Sequence, residues 1–450
     1  MRKIVLLLWA AACALQAAPP AVFAIRDARI VRVSGPVLER GTVLIRDGLI
    51  EQVGPNVNIP PDAWVIEAQG LTVYPGLIDA LSTLGIAEAA ASAAPTGRSA
   101  RTQTPPSTPA PSETPAQPAT PAPTGPPARG PEDRPSNTSW VRAADLVSPS
   151  DRRLEAARSL GFTTAMTFPQ RGIFAGQGAV VNLAGEKGGQ MVVSAPAGLY
   201  LSLSGGGFSS FPGSLFGVMA YVRQIFLDAD HYRQAKETYA ARPVGSKRLA
   251  YDRALEGVLE APRLLLPATR AVEVDRMLRF AGELKRPVVL YGAHEAYRAA
   301  DLLKKSGTPV LVSLRWPERS READPEDVEA LRILEMRERA PSTPAALAKA
   351  GVLFAFYTDG IATQRELVRA VRRAFETGLA PADAVRAFTL SAAEIYGVAD
   401  RLGSIDPGKI ANLVVTSGDL FQEKTQIKHV FVDGVKFEPA PEPPAEEVGR

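Results

Sequence analysis

Residues 74–85 read YPGLIDALSTLG. The stretch from Leu77 to Leu84 is largely apolar, shorter than an ordinary helix, and bounded by Pro75-Gly76 and Gly85. It therefore reads as a buried strand. Side chains along a strand alternate between its two faces, so Leu81 and Thr83, two positions apart, point the same way. What lies on either side of this strand decides the architecture.

Upstream, residues 22–74 read as short strands. GTVLIRDGLIEQVG (Gly41–Gly54) alternates apolar and polar residues around Asp47-Gly48, a hairpin signal. IKHVFVDGVKFE (Ile427–Glu438) repeats the pattern around Asp433-Gly434 near the other end of the chain. Each piece is too small to cover its own apolar face, so the two are expected to form halves of one small β-domain, from residues 19–74 and 402–440.

Downstream, residues 75–401 alternate strand and helix. Strands are expected at Gly76–Leu84, Phe162–Phe168, Gly198–Leu203, Arg263–Ala268, Pro287–Gly292, Pro309–Leu314 and Val352–Gly360, with helical stretches such as AVEVDRMLRFAGELK between them. Repeated β-α units imply a parallel sheet covered by helices, and this many favour a (β/α)8 TIM-like barrel over a doubly wound open sheet. An eighth strand is not placed. The glycine-rich FAGQGAVVNLAGEKGG lacks the lysine spacing of a phosphate loop and reads as a hairpin excursion. No Gly-x-Ser-x-Gly elbow is present.

Residues 87–139 are rich in Ala, Pro, Thr and Ser. That composition cannot offset the entropy of ordering, so the segment is expected to be a disordered insert leaving the barrel's first strand.

The chain has 450 residues, 46% hydrophobic and 22% charged, enough for one large core and a smaller one. Its formal charge is +3, with Arg2 and Lys3 among the positive residues, so no basic field exists to recruit nucleic acid. MRKIVLLLWAAACALQAAPP has the basic, apolar and small-residue order of a signal peptide, expected over residues 1–18. The protein is therefore expected to be exported, periplasmic or extracellular, with no transmembrane span after signal removal. Cys13 is the only cysteine, which excludes disulfides and thiolate metal sites from the mature chain.

GLTVYPGLIDA, FYTDG and RLGSIDPGKIANLVV together resemble the amidohydrolase superfamily. FTTAMTFPQRGIFAGQGAVVNL, FPGSLFGVMAYVRQIFLDADHY and HEAYRAADLLKKSGTPVLV are similar to its imidazolonepropionase-like branch. The resemblance implies a distorted (β/α)8 TIM-like barrel plus a small β-sandwich made from both chain ends and, by descent, metal-assisted hydrolysis of non-peptide C–N bonds. It also implies where paired metals would be held: a His-x-His at the first strand, two later histidines and a late aspartate. Here those positions carry Leu81, Thr83, Pro267, Gly292 and Asp359.

Only the aspartate can ligate, and the whole chain has three histidines, His231, His294 and His429. A binuclear centre cannot be assembled from that inventory, so no metal ligands are assigned and no cofactor is expected. Beside a purely structural protein, with a barrel mouth closed by apolar side chains such as Leu81 and Pro267, two readings remain open. In one, the protein is non-catalytic and binds a small molecule, or pairs with a paralogous hydrolase. In the other, Asp359 and His294 run an active hydrolase with a single divalent metal or none. An all-oxygen site at Asp79, Asp359 and Glu295 would suit Mg2+ or Mn2+, although Asp79 reads better as a hydrogen-bonding support of the strand end. Tyr291, Arg270 and Arg315 end strands and are expected to line a pocket for an anionic or polar ligand.

Overall fold

The computed structural model describes residues 22–86, 134–204, 211–320, 324, 326 and 328–439. The expected signal peptide and residues 87–133 of the expected insert lie outside the described residues. Five strands come first: β1 (Val22–Ile30), β2 (Leu38–Arg46), β3 (Leu49–Gly54), β4 (Trp64–Glu67) and β5 (Thr72–Pro75). The middle of the chain supplies β6 (Leu77–Ser82), β7 (Phe162–Thr167), β8 (Phe174–Gln177), β9 (Ala179–Asn182), β10 (Val192–Ser194), β11 (Leu199–Leu201), β12 (Leu264–Ala268), β13 (Val288–Gly292), β14 (Val310–Ser313) and β15 (Phe354–Tyr357). The last three are β16 (Leu413–Thr416), β17 (Ile427–Val432) and β18 (Val435–Phe437).

Both chain ends meet in one eight-stranded sheet, in the order β18-β17-β16-β5-β1-β2-β3, with β4 also paired to β1. Its hydrogen bonding is continuous, and one face packs Phe23, Ile25, Val43, Ile66, Val73, Leu413 and Phe431 into a small core. The Asp-Gly turns have the positive φ that a two-residue hairpin needs, 50° and 81° at Asp47-Gly48 and 53° and 74° at Asp433-Gly434. The two turns also touch. A Cβ on Gly434 would stand 2.6 Å from Gly48 Cα, so backbone meets backbone there and only glycine fits.

Two further sheets carry the middle of the chain. β6 and β7 are parallel, as are β11 through β15 in sequence order. Helices Ala271–Leu284, Ala300–Ser306 and Thr343–Ala350 connect the strands from β12 to β15. Alternation along these strands separates two layers. Leu265, Val289, Leu311 and Ala355 join Ile78, Ala80 and Met166 in an inner apolar cluster drawn from both sheets. Leu264, Leu266, Leu290, Val310, Val312, Phe354 and Phe356 pack outward in the core under the helices. Phe388 is fully buried in that outer core, its ring 4.9 Å from Phe356, 5.4 Å from Phe421 and 6.0 Å from Phe162. β6 meets the end of β15 through Asp79, which accepts from the Thr358 amide at 3.0 Å and the Thr358 hydroxyl at 2.6 Å.

The structure differs from the sequence reading in two places. β8 and β9 flank Gly178 but do not pair with each other: β8 pairs with β11, while β9 pairs with β7 and, across the glycine-rich residues 183–191, antiparallel with β10, so the hairpin lies one strand later than the start of the quoted stretch. The packing around Gly178 accounts for this, since a Cβ there would stand 2.2 Å from the Phe168 ring, and its backbone bonds to Ala197 and Gly198 instead. The strand left unplaced does not emerge as a further parallel strand among the described residues.

The second difference is the far boundary of the insert. Residues 134–139 are packed rather than loose: Asn137 bridges to Phe174, and the buried Ser139 hydroxyl donates to Ala254 O at 2.6 Å. Composition marks this hexamer as solvated, but specific backbone bonds hold it.

Candidate functional site

The inner faces of the parallel strands turn polar at their C-terminal ends. Two residues beyond Leu265, Val289, Leu311 and Ala355 stand Pro267, Tyr291, Ser313 and Tyr357, and two beyond Tyr357 stands Asp359. Asp359 lies in the turn after β15 with φ 51°, a left-handed conformation that aspartate tolerates better than most residues. Its Oδ2 accepts from the Ser313 hydroxyl at 2.8 Å, and Ser313 Oγ in turn accepts from the Arg315 amide at 3.1 Å. Tyr200, on β11, stacks on Tyr291 with ring centroids 5.1 Å apart and planes 26° apart. The Tyr291 hydroxyl donates to Leu201 O at 3.0 Å. Phe168 lies beneath, 6.4 Å from Tyr200 and 6.1 Å from Tyr396.

These groups share one electrostatic environment. Burial pushes the Tyr291 and Tyr357 phenols well above their ordinary range, and the Asp359 charge adds to the effect in both. Tyr200 is raised chiefly by burial, with Asp359 again contributing. All three therefore stay neutral and can act as hydrogen-bond donors or acceptors.

His294 behaves differently. Burial lowers its pKa below 6.5, opposed by the Asp359 charge and by a hydrogen bond with the Ser313 backbone. An extended chain would carry His294 to the same side as Gly292, but Ala293 turns left-handed at φ 57° and breaks the extension. The imidazole instead lies against Trp316, with centroids 6.0 Å apart, and its Nε2 is buried without a hydrogen-bond partner. Trp316 itself donates to Ala370 O at 2.9 Å, in the helix layer.

Asp359 and Tyr291 thus share the mouth, and His294 borders it. Arg270 faces elsewhere: its Nε donates to Glu273 at 2.7 Å at the start of helix Ala271–Leu284. Glu295 accepts from the Ala271 amide at 3.0 Å and serves the same helix end. Arg315 is exposed, with its guanidinium beside Gly360. Asp79, Asp359 and Glu295 are not gathered into one site. Tyr200, Ser313 and Tyr357 were not singled out in the sequence, although Tyr357 lies two residues before Asp359 on the same strand face.

The positions where the resemblance places metal ligands do not fit a paired metal centre. Leu81 is buried in the inner apolar cluster. The Thr83 hydroxyl is engaged by Arg153, whose Nη1 lies 3.0 Å away. Gly292 has φ 99°, and a Cβ there would stand 2.9 Å from Thr269 Oγ1, so any side chain at this position, a histidine included, would be strained. Among the described residues no group of three or more His, Cys, Asp or Glu could hold a metal ion. His231 is exposed on helix Leu215–Ala241, and His429 lies in the terminal sheet opposite Val415.

Residues 283–437 match the model of the amidohydrolase family. An adenine deaminase from Moorella thermoacetica (strain ATCC 39073 / JCM 9320) is 45% identical over 64 residues, 14% of this chain and 10% of the deaminase. The chain thus covers about a tenth of that relative's length. An amidohydrolase from Thermotoga maritima MSB8 superposes with a TM-score of 0.71 at 26% identity, over 92% of this chain and 100% of that one. A prolidase solved with N-methylphosphonate-L-proline shares the fold, with a TM-score of 0.52 at 16% identity over 93% of this chain and 100% of its own. The family match and the Thermotoga likeness support the amidohydrolase superfamily, and with it a TIM-barrel-like α/β fold.

Proposed function

We propose that this chain is an exported, imidazolonepropionase-like member of the amidohydrolase superfamily that has given up the paired metal centre and binds a small polar molecule at the strand-end mouth without hydrolysing it. The observation that carries the reading is the backbone at Gly292. A lost side chain can be restored by one substitution, but a histidine here would also have to adopt a strained positive φ and crowd the Thr269 side chain. The apolar Leu81 and the engaged Thr83 agree with it. A paralogous hydrolase is the partner that would make such a protein useful.

The test is elemental analysis of the purified mature protein together with amide and cyclic-amide hydrolysis assays, with and without chelator. The reading expects substoichiometric transition metal and no chelator-sensitive turnover. Stoichiometric metal with hydrolysis that a chelator abolishes overturns it.

A second reading draws on the Asp359 charge felt at His294. In it the two act as an acid–base pair on a C–N bond, with one divalent metal or none. It requires Asp359→Asn and His294→Ala each to abolish a measurable hydrolysis while leaving the fold intact.

A further inference from the structure

We propose that the mouth selects a small organic cation, an ammonium or amidinium group, with Asp359 as its counter-charge and the Tyr200, Tyr291 and Tyr357 phenols around it. This rests on the ligand-binding reading above and names the class of ligand.

An unpaired carboxylate stands at the mouth. Among the described residues Asp359 forms no ion pair, and its one hydrogen bond comes from Ser313 to Oδ2, leaving Oδ1 available. Asp359 is exposed, so a ligand can reach it. Of the two arginines expected to greet an anion, Arg270 is paired with Glu273, while the exposed Arg315 lies beside Gly360 without an ion pair to the Asp359 carboxylate and is the one positive charge a cation would have to share the mouth with.

The aromatic groups add to the same preference. Tyr200, Tyr291 and Tyr357 add neutral phenols near the carboxylate, Tyr357 standing opposite the Ser313 that bonds to Asp359, and a neutral oxygen can accept from a cation without repelling it. An anionic ligand would face a like charge at that position.

The experiment uses the full mature chain and three probes of one shape: benzylammonium, benzyl alcohol and benzoate, followed by saturation-transfer NMR. The inference expects benzylammonium to bind, the other two not to bind at the same concentration, and Asp359→Asn to weaken the cation at least tenfold. Asparagine tolerates the left-handed backbone at 359, so this variant should fold. Tyr291→Phe, which removes only the hydroxyl, serves as a second probe of the mouth and should weaken binding less. Benzoate or benzyl alcohol binding as well as the cation, or cation binding unchanged in Asp359→Asn, overturns the inference while leaving a ligand-binding mouth intact. Loss of the metal-free reading itself would show separately, in the metal and chelator assays.

Discussion

Arg153 donates to the Thr83 hydroxyl at 3.0 Å and to the Thr83 carbonyl at 2.9 Å, fastening the helix before β7 to the end of β6. The same guanidinium reaches Ile86 O at 2.6 Å and Asp151 at 2.8 Å, while Asp151 accepts from the Gly85 amide at 2.8 Å. A fixed cation from the protein thus organises the strand end that carries Leu81 and Thr83. Arg153→Ala leaves two carbonyls without their donor and the Asp151 carboxylate without its counter-charge, with only backbone amides still bonded to it, and should lower stability by about 2–4 kcal/mol. Arg153→Lys should recover less than half of that, because an ammonium cannot reproduce the planar fork. Urea denaturation of the three proteins gives the comparison.

Asp79 predicts a pH dependence. Burial pushes its carboxyl up to about 6, against the hydrogen bonds from Thr358 and Leu81 that favour the ion. Because the folded value lies above the ordinary 3.8, the folded state holds this proton more tightly than the unfolded chain. The contribution of this group to stability therefore falls as pH rises from about 4 to about 6, by on the order of 2–3 kcal/mol, and is flat above that window. Denaturation of wild type and Asp79→Asn at pH 4.5 and 7.5 should show that slope only in the wild type.

Position 292 should resist repair. Gly292→His is expected to destabilise by about 2–4 kcal/mol, from the positive φ and the contact with Thr269. Gly292→Ala should show most of the same loss, since the strain lies in the backbone. A histidine tolerated there at no cost in denaturation midpoint would remove the main support for a lost metal position.

Phe388 ties the terminal region to the strand layer through its ring contacts with Phe421, Phe356 and Phe162. Phe388→Ala should cost about 3–5 kcal/mol, and Phe388→Leu under about 1.5 kcal/mol. Thermal unfolding should move in that order.

The elements most legible in the sequence were those with a local physical cause. Asp47-Gly48 and Asp433-Gly434 announced their turns because two consecutive residues at positive φ demand that chemistry. The buried parallel strands announced themselves as apolar runs. What was not legible depended on distant partners. Ser313 belongs to the mouth because β14 pairs with β15 in a register that sets it opposite Tyr357, and no local pattern encodes that. His294 was expected to point with Gly292, but one left-handed alanine redirects it. Arg270 looked like a pocket residue until its partner, three positions along the next helix, was known.

The pairing of β5 with β16 has a consequence for how the molecule is made. The Thr416 hydroxyl donates to Thr72 O at 3.3 Å across 344 residues of chain. During synthesis β5 must wait, one edge bare, until residues 413–416 have left the ribosome. Closing so long a loop comes late, and completion of this sheet should be limited by the arrival of β16.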